Sequence, residues 1–322
     1  MTAPHPGDVG VARFPATTGA AGGAGPAHPP VVHRVVDVEG IPASALLAEA
    51  RHPRAVVVAL HGGATTSRYF DCPGHPELSL LRAGAALGFT VIALDRPGYA
   101  SSAGHAEELA PAARRVDFAY AAVDRLLAGR PRGAGLFLMA HSIGCELAVR
   151  MAADERGRGL LGMELAGTGR QHHPSALEVM GAWRLDTAWP RRTVGLRGLL
   201  WQPESLYPDE IVGGASIASR SPGYEGTVVE TWAEPDFPAL AAQIRIPVHY
   251  SLGEYEMVWQ SGPAALAGIA AMFTASPRVG AGEQAGAGHN LSIGLTATAY
   301  HLKVLSFAEE CAVDAAQRQS GR

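Results

Sequence analysis

Short apolar runs alternate with longer amphipathic stretches along most of the chain. Val31 to Val38 and Ala43 to Ala50 read as two strands of a hairpin about Glu39-Gly40-Ile41-Pro42. Strand-like runs follow at Ala55 to Leu60, Thr90 to Leu94, Gly135 to Ala140 and Leu160 to Leu165, and helical patterns lie between them at Glu77 to Leu87, Ala112 to Leu127 and Ile143 to Ala153. Continuous apolar strands separated by helices predict an α/β protein, with a mostly parallel central sheet and helices on both faces. The alternation stops between Ala166 and Phe237. It resumes over Pro238 to Ile244, Pro247 to Leu252 and Pro263 to Met272, before a last amphipathic helix at Leu291 to Glu309.

The interruption divides the chain. Residues 31–165 and 238–310 make the expected core, and 166–237 an inserted helical lid, since so long a stretch does not run as a bare loop in a compact domain. The first 30 residues are mostly Ala, Gly, Pro and Thr without periodicity, and read as a flexible arm. Residues 311–322 read as a polar tail. Four of the five tryptophans, Trp183, Trp189, Trp201 and Trp232, fall in the lid. They are candidate substrate contacts in an apolar cleft, although the small core of a lid uses the same residues for packing.

Composition narrows the function. Of 322 residues, 47% are hydrophobic and 17% charged, with a net charge of −4, so neither nucleic acid nor a membrane is an expected partner. Cys72, Cys145 and Cys311 are too few and too scattered for a disulfide framework, and the N-terminus lacks the pattern of a secretory signal, so the cytoplasm is the expected compartment. No metal or other cofactor is expected. His172-His173 lacks the spacing of a helix-borne metal pair, and Gly280 to Gly286 leads into a loop rather than the helix a dinucleotide fingerprint requires.

The chemistry centres on Leu136-Phe137-Leu138-Met139-Ala140-His141-Ser142-Ile143-Gly144, a buried strand running into a serine with small residues at both second neighbours. A nucleophile on a tight strand-to-helix turn needs that pattern, because larger side chains would strike the adjoining strand and helix. The following helix N-terminus offers backbone N–H groups to developing negative charge. Cys145 is expected to be a small buried residue, and His141 to point away from the serine hydroxyl.

From Val31 to Glu309 the sequence resembles the α/β-hydrolase superfamily. His61-Gly62-Gly63-Ala64 follows a buried strand where such enzymes place half of their oxyanion hole, which assigns the N–H groups of Gly63 and Ile143 to that role by similarity. Asp95-Arg96-Pro97-Gly98-Tyr99-Ala100-Ser101-Ser102 is similar to a structural turn of the family, with Ala100 where its second glycine stands. The resemblance places a catalytic acid in Gly253-Glu254-Tyr255-Glu256 and a catalytic histidine in Gly286-Ala287-Gly288-His289-Asn290. The chain order Ser142, Glu256, His289 then matches the fold, with Glu254 as the alternative acid and glutamate in place of the usual aspartate.

The resemblance implies a serine hydrolase that cleaves an ester through an acyl-enzyme on Ser142, and the tryptophan-bearing lid and low charge density suggest a small to medium apolar substrate. A thioesterase, a C–C hydrolase, an acyltransferase or a lyase would use the same residues. A non-catalytic ligand receptor would keep the pocket without turnover.

Overall fold

Val56, Val58 and Leu60 face one hydrophobic layer while Val57 and Ala59 face another, so the strand that carries them is buried on both sides. This strand lies near the middle of the sheet. The computed structural model describes residues 30–185 and 198–320. Among these, eight strands form one sheet: β1 (Val32–Val38), β2 (Ile41–Ala48), β3 (Val56–Leu60), β4 (Thr90–Leu94), β5 (Leu136–His141), β6 (Gly162–Ala166), β7 (Val248–Gly253) and β8 (Val279–Gln284). Their order is β1-β2-β4-β3-β5-β6-β7-β8. The β1–β2 and β2–β4 pairs are antiparallel, and every pairing from β4–β3 onward is parallel.

The principal described helices are α1 (Leu80–Ala86), α2 (Ala112–Leu126), α3 (Gly144–Ala153), α4 (Pro174–Leu185), α5 (Tyr224–Thr231), α6 (Phe237–Ala241), α7 (Pro263–Ala270) and α8 (Ala297–Ser320). One layer joins Val116 and Val123 of α2 and Leu147 and Met151 of α3 to the first face of the sheet. The other joins Leu81 of α1 and Val304 and Ala308 of α8 to the opposite face. The chain between β6 and β7 carries α4, α5 and α6, and the expected arm at residues 1–30 falls almost wholly outside the described residues.

Several boundaries differ from the sequence pattern for local reasons. The hairpin turn is only Glu39-Gly40, with φ of 54° and 85°, a two-residue turn whose twist suits antiparallel strands, so β2 starts at Ile41. Ser79 caps α1 by accepting from the Arg82 N–H, which leaves Pro76–Leu78 as a separate short turn. The last helix runs to Ser320 and buries Cys311, Ala312 and Ala315, so 311–320 is docked helix rather than a polar tail. Residues 279–284 form edge strand β8, which the hydrophobic pattern had not singled out as a strand. All three cysteines are free and buried, and no described helix is long and apolar enough to cross a membrane.

His301 on α8 is fully buried and neither ring nitrogen has a hydrogen-bond partner, so burial pushes its pKa down to about 3. The folded protein holds this imidazole neutral, whereas the unfolded chain takes up a proton below about 6.5. The unfolded state therefore binds more protons between those values, and stability falls as pH is lowered through that window, by up to ~1.4 kcal/mol per pH unit from this group alone. His301→Leu is expected to flatten urea-unfolding stability against pH between about 6.5 and 3 by one proton. An unchanged slope would exclude this role for His301. The variant keeps the same-signed effects of His61 and His141, whose pKa values burial also lowers.

Candidate active site

Ser142 stands directly between β5 and α3 with φ of 54°, in the left-handed region that costs an L-residue about 1–2 kcal/mol. The turn is held by the Ser142 N–H, which donates to the Ala166 carbonyl at 2.8 Å. A Cβ on Gly144 would collide with the Leu60 and His61 carbonyls, so only glycine lets the helix leave this close to β3. The same strained serine, small-residue pattern and helix start had been read from the sequence.

His289 lies in the loop between β8 and α8. Its Nε2 is 3.2 Å from Ser142 Oγ, and its Nδ1 is 3.0 Å from each Glu256 carboxylate oxygen. A carboxylate only accepts, so Nδ1 carries the proton and Nε2 is free to accept from the serine hydroxyl. Glu256 Oε1 also accepts from the Val258 N–H at 2.8 Å, and Glu256 and His289 are both buried. Glu254 is exposed and accepts from the Gly286 N–H, away from the histidine ring. Gly253 lets the acid and histidine loops touch, because a Cβ there would strike the Gly288 carbonyl.

The Gly62–Gly63 loop, which carries one of the two amides assigned to the oxyanion hole, packs against the serine turn, which carries the other. A Cβ built on Gly63 would be 3.3 Å from Ile143 Cγ2, and one on Gly62 would be 3.2 Å from Ser142 Cβ. Neither the Gly63 nor the Ile143 N–H donates to an acceptor among the described residues. His141 stacks on Tyr69 at 4.5 Å and donates from Nε2 to the His289 carbonyl at 2.8 Å, so it braces the backbone of the second histidine. Burial, and then the neighbouring His289, lower its pKa and keep it neutral. Burial raises the pKa of Cys145, whose Sγ faces the Ala166 carbonyl behind the turn.

Two of the four candidate tryptophans, Trp201 and Trp232, take the packing role rather than that of a substrate contact. Trp232 stacks on Phe237 at 4.7 Å and donates to Thr168 Oγ1, and Trp201 packs edge-on against Tyr207 at 5.1 Å. Both are buried in the two core layers, so their ring faces pack the protein rather than a substrate. Trp189 and the side chain of Trp183 lie outside the described residues. Trp259, outside the four, stacks on His172 at 4.3 Å and donates to the Gly167 carbonyl. Gly167 in turn lies against His289, since a Cβ there would be 3.3 Å from Cε1. Three residues before it in the chain, Glu256 had been singled out and Trp259 had not.

Arg96, Tyr99 and Glu225 add a buried polar group beside Gly63. Arg96 pairs with Glu225 at 2.5 Å, and Tyr99 donates to the other Glu225 oxygen at 2.7 Å. A surface groove of about 1300 Å³ borders the outer side of α5, lined by Arg115, Arg150, Arg220 and Thr227 among others, and neither Ser142 nor His289 lines it. No group of three or more His, Cys, Asp or Glu among the described residues is placed to hold a metal ion.

The strand order and the serine turn at the end of β5 define an α/β-hydrolase fold. Solved structures of the same fold include a thermostable carboxyl esterase from Bacillus coagulans in complex with glycerol, 18% identical, with a TM-score of 0.62, covering 87% of this chain and 98% of that one. A soluble variant of monoglyceride lipase from Saccharomyces cerevisiae is 13% identical with a TM-score of 0.65, over 87% of this chain and 95% of that one. The Paleococcus ferrophilus monoacylglycerol lipase is 20% identical, with a TM-score of 0.58, over 82% and 98%. No curated protein sequence matches significantly. Residues 51–215, just over half of the chain, match the family described as serine aminopeptidase, S33, and the chain belongs to that family of hydrolases within the α/β-hydrolase superfamily.

Proposed function

We propose that the protein hydrolyses carboxylic esters of small to medium apolar substrates through an acyl-enzyme on Ser142. The observation that carries this reading is the continuous relay Ser142 Oγ, His289 Nε2, His289 Nδ1, Glu256, at 3.2 and 3.0 Å. A serine hydroxyl is a poor nucleophile at neutral pH, so the imidazole takes its proton as Oγ bonds to the ester carbon. The carbonyl oxygen becomes an oxyanion facing the Gly63 and Ile143 amides. Collapse breaks the bond to the alcohol oxygen, which leaves with the proton from His289. Water then loses a proton to His289, attacks the acyl carbon, and releases the acid and Ser142.

The charge of the site favours a neutral substrate. Glu256 is engaged by His289, and Glu225 by Arg96 and Tyr99. An aminopeptidase, the activity in the family's description, needs a carboxylate to receive a free α-ammonium group, and among the described residues the buried carboxylates Glu256 and Glu225 at this site are already paired. Ile143, next to Ser142 and against Gly63, supplies apolar side-chain surface there.

A fluorophosphonate probe followed by peptide mass spectrometry tests the reading. One adduct is expected, on Ser142, and His289→Ala is expected to slow labelling by roughly 10²-fold or more, since the base activates the nucleophile. Unlabelled Ser142 in folded protein would overturn the proposal.

A further inference from the structure

The Gly62–Gly63 peptide bond is trans, so the Gly62 carbonyl and the Gly63 N–H point in opposite directions from one rigid plane. Whatever holds the carbonyl therefore aims the amide. Three donors hold it: His61 Nδ1 at 2.8 Å, Thr65 Oγ1 at 3.1 Å and Arg96 Nη2 at 3.0 Å. The His61 tautomer is fixed, because its Nε2 accepts from the Arg96 N–H at 3.1 Å. Burial, and then the Arg96 charge, lower the His61 pKa and keep the ring neutral.

Arg96 is aimed by the inserted segment. The same Nη2 that reaches the Gly62 carbonyl donates to Glu225 Oε1 on α5, while Arg96 Nε is buried without a partner. Burial disfavours the guanidinium charge, but the Glu225 carboxylate together with Tyr99 and Tyr224 more than offsets this. Tyr99 donates to Glu225 Oε2, and its oxygen accepts from the Ala64 N–H at 3.1 Å. Ser221 Oγ accepts from that same N–H, and Ser219 N–H donates to the Ala64 carbonyl. Ala64 is thereby held at a φ of 54°, in the left-handed region. A buried ion pair with an orphaned donor is a poor device for stability alone, since apolar residues of similar volume serve as well. Its geometry does fit orienting a peptide and polarising it, because a cation at the carbonyl strengthens the N–H as a donor.

We propose that Arg96, set by Glu225 of the inserted segment, is a positioning residue for the oxyanion hole, holding the Gly62–Gly63 peptide so that the Gly63 N–H meets the oxyanion. The hole is complete only when residues 218–225 of that segment are seated on the His61 to Thr65 loop. This inference rests on the ester hydrolysis proposed above.

The test compares kcat and KM for p-nitrophenyl butyrate in Arg96→Met, Arg96→Lys, Glu225→Gln and Thr65→Val, with thermal unfolding of each. Removing one oxyanion donor typically costs 10²–10³ in kcat, so misaiming it in Arg96→Met is expected to cost about 10–100-fold with KM within about twofold. Arg96→Lys is expected to recover part of the loss, and Glu225→Gln and Thr65→Val to lower kcat by about 3–10-fold each, again through kcat alone. If Arg96→Met does not fold, Thr65→Val decides, because it removes a donor to the Gly62 carbonyl and leaves the ion pair intact. Wild-type kcat in Thr65→Val and Glu225→Gln, or losses confined to KM or to variants with lowered thermal stability, would overturn the inference. Wild-type protein that is neither labelled at Ser142 nor active on the ester would instead reject the hydrolase reading.

Discussion

Ser142→Ala is expected to lower kcat on any ester the protein hydrolyses by about 10⁴-fold or more, the range seen when a serine nucleophile is removed from an assembled triad. The size of the effect follows from the relay. Without Oγ, His289 has no proton to accept and no covalent intermediate forms, so only the Gly63 and Ile143 amides and substrate binding remain to assist water. Substrate affinity is expected to stay within about threefold, because the hydroxyl acts in the transition state rather than in ground-state binding. The fold should also persist. Alanine keeps the Cβ and the Ser142 N–H bond to Ala166, and so inherits the φ of 54° with its strain. Glycine at 142 relieves that strain of about 1–2 kcal/mol but gives back about 0.5–1 kcal/mol of unfolded-state entropy, so Ser142→Gly is expected to be equally inactive and no less stable. Single-turnover kinetics and urea unfolding of both variants test this together. Retained turnover in Ser142→Ala would remove the nucleophile from the proposal.

The serine turn was legible because its requirements are local. Strand β5, the left-handed position and the glycine that must pass close to β3 all lie within nine residues, and each leaves its own residue type. The parallel core strands were equally legible, since burial on both faces demands continuous apolar runs. Strand β8 was not, because Val279-Gly280-Ala281-Gly282 carries too little side chain to show a period of two and takes its register from β7 instead. The end of α8 was misread for a related reason, with Cys311, Ala312 and Ala315 burying only small side chains among polar neighbours. The tryptophans had the opposite fault. Their size made them conspicuous, yet Trp201 and Trp232 are satisfied by Tyr207, Phe237 and Thr168. Arg96 and Glu225 are 129 positions apart, and their pairing exists only once the inserted segment is in place. Local pattern could identify the turn that bears Arg96, but not the carboxylate that aims its side chain.

Glu256→Gln is expected to reduce kcat by about 10²–10⁴-fold while Glu254→Gln changes it by less than about threefold, by analogy with loss of the acid from other triads. The two residues are two positions apart, but only one meets the ring. Glu256 places both oxygens 3.0 Å from His289 Nδ1 and fastens Oε1 to the Val258 N–H, whereas Glu254 is exposed and fastened to Gly286. A glutamine at 256 presents an amide that also donates. If its N–H₂ faces Nδ1, the imidazole proton moves to Nε2, the atom that must accept from Ser142. If its oxygen faces Nδ1, the tautomer survives, but the imidazolium formed in the transition state loses its counter-charge. Either orientation lowers kcat with little change in KM. The glutamate where relatives of this fold carry aspartate fits the same geometry, since the extra methylene lets the carboxylate reach Nδ1 with both oxygens from the buried loop after β7. Glu256→Asp is thus expected to fall between wild type and Glu256→Gln, because its carboxylate is still charged but withdrawn by about one bond length, ~1.5 Å. A pH-rate profile for the three proteins measures this, and full activity in Glu256→Gln with loss in Glu254→Gln would transfer the acid to Glu254.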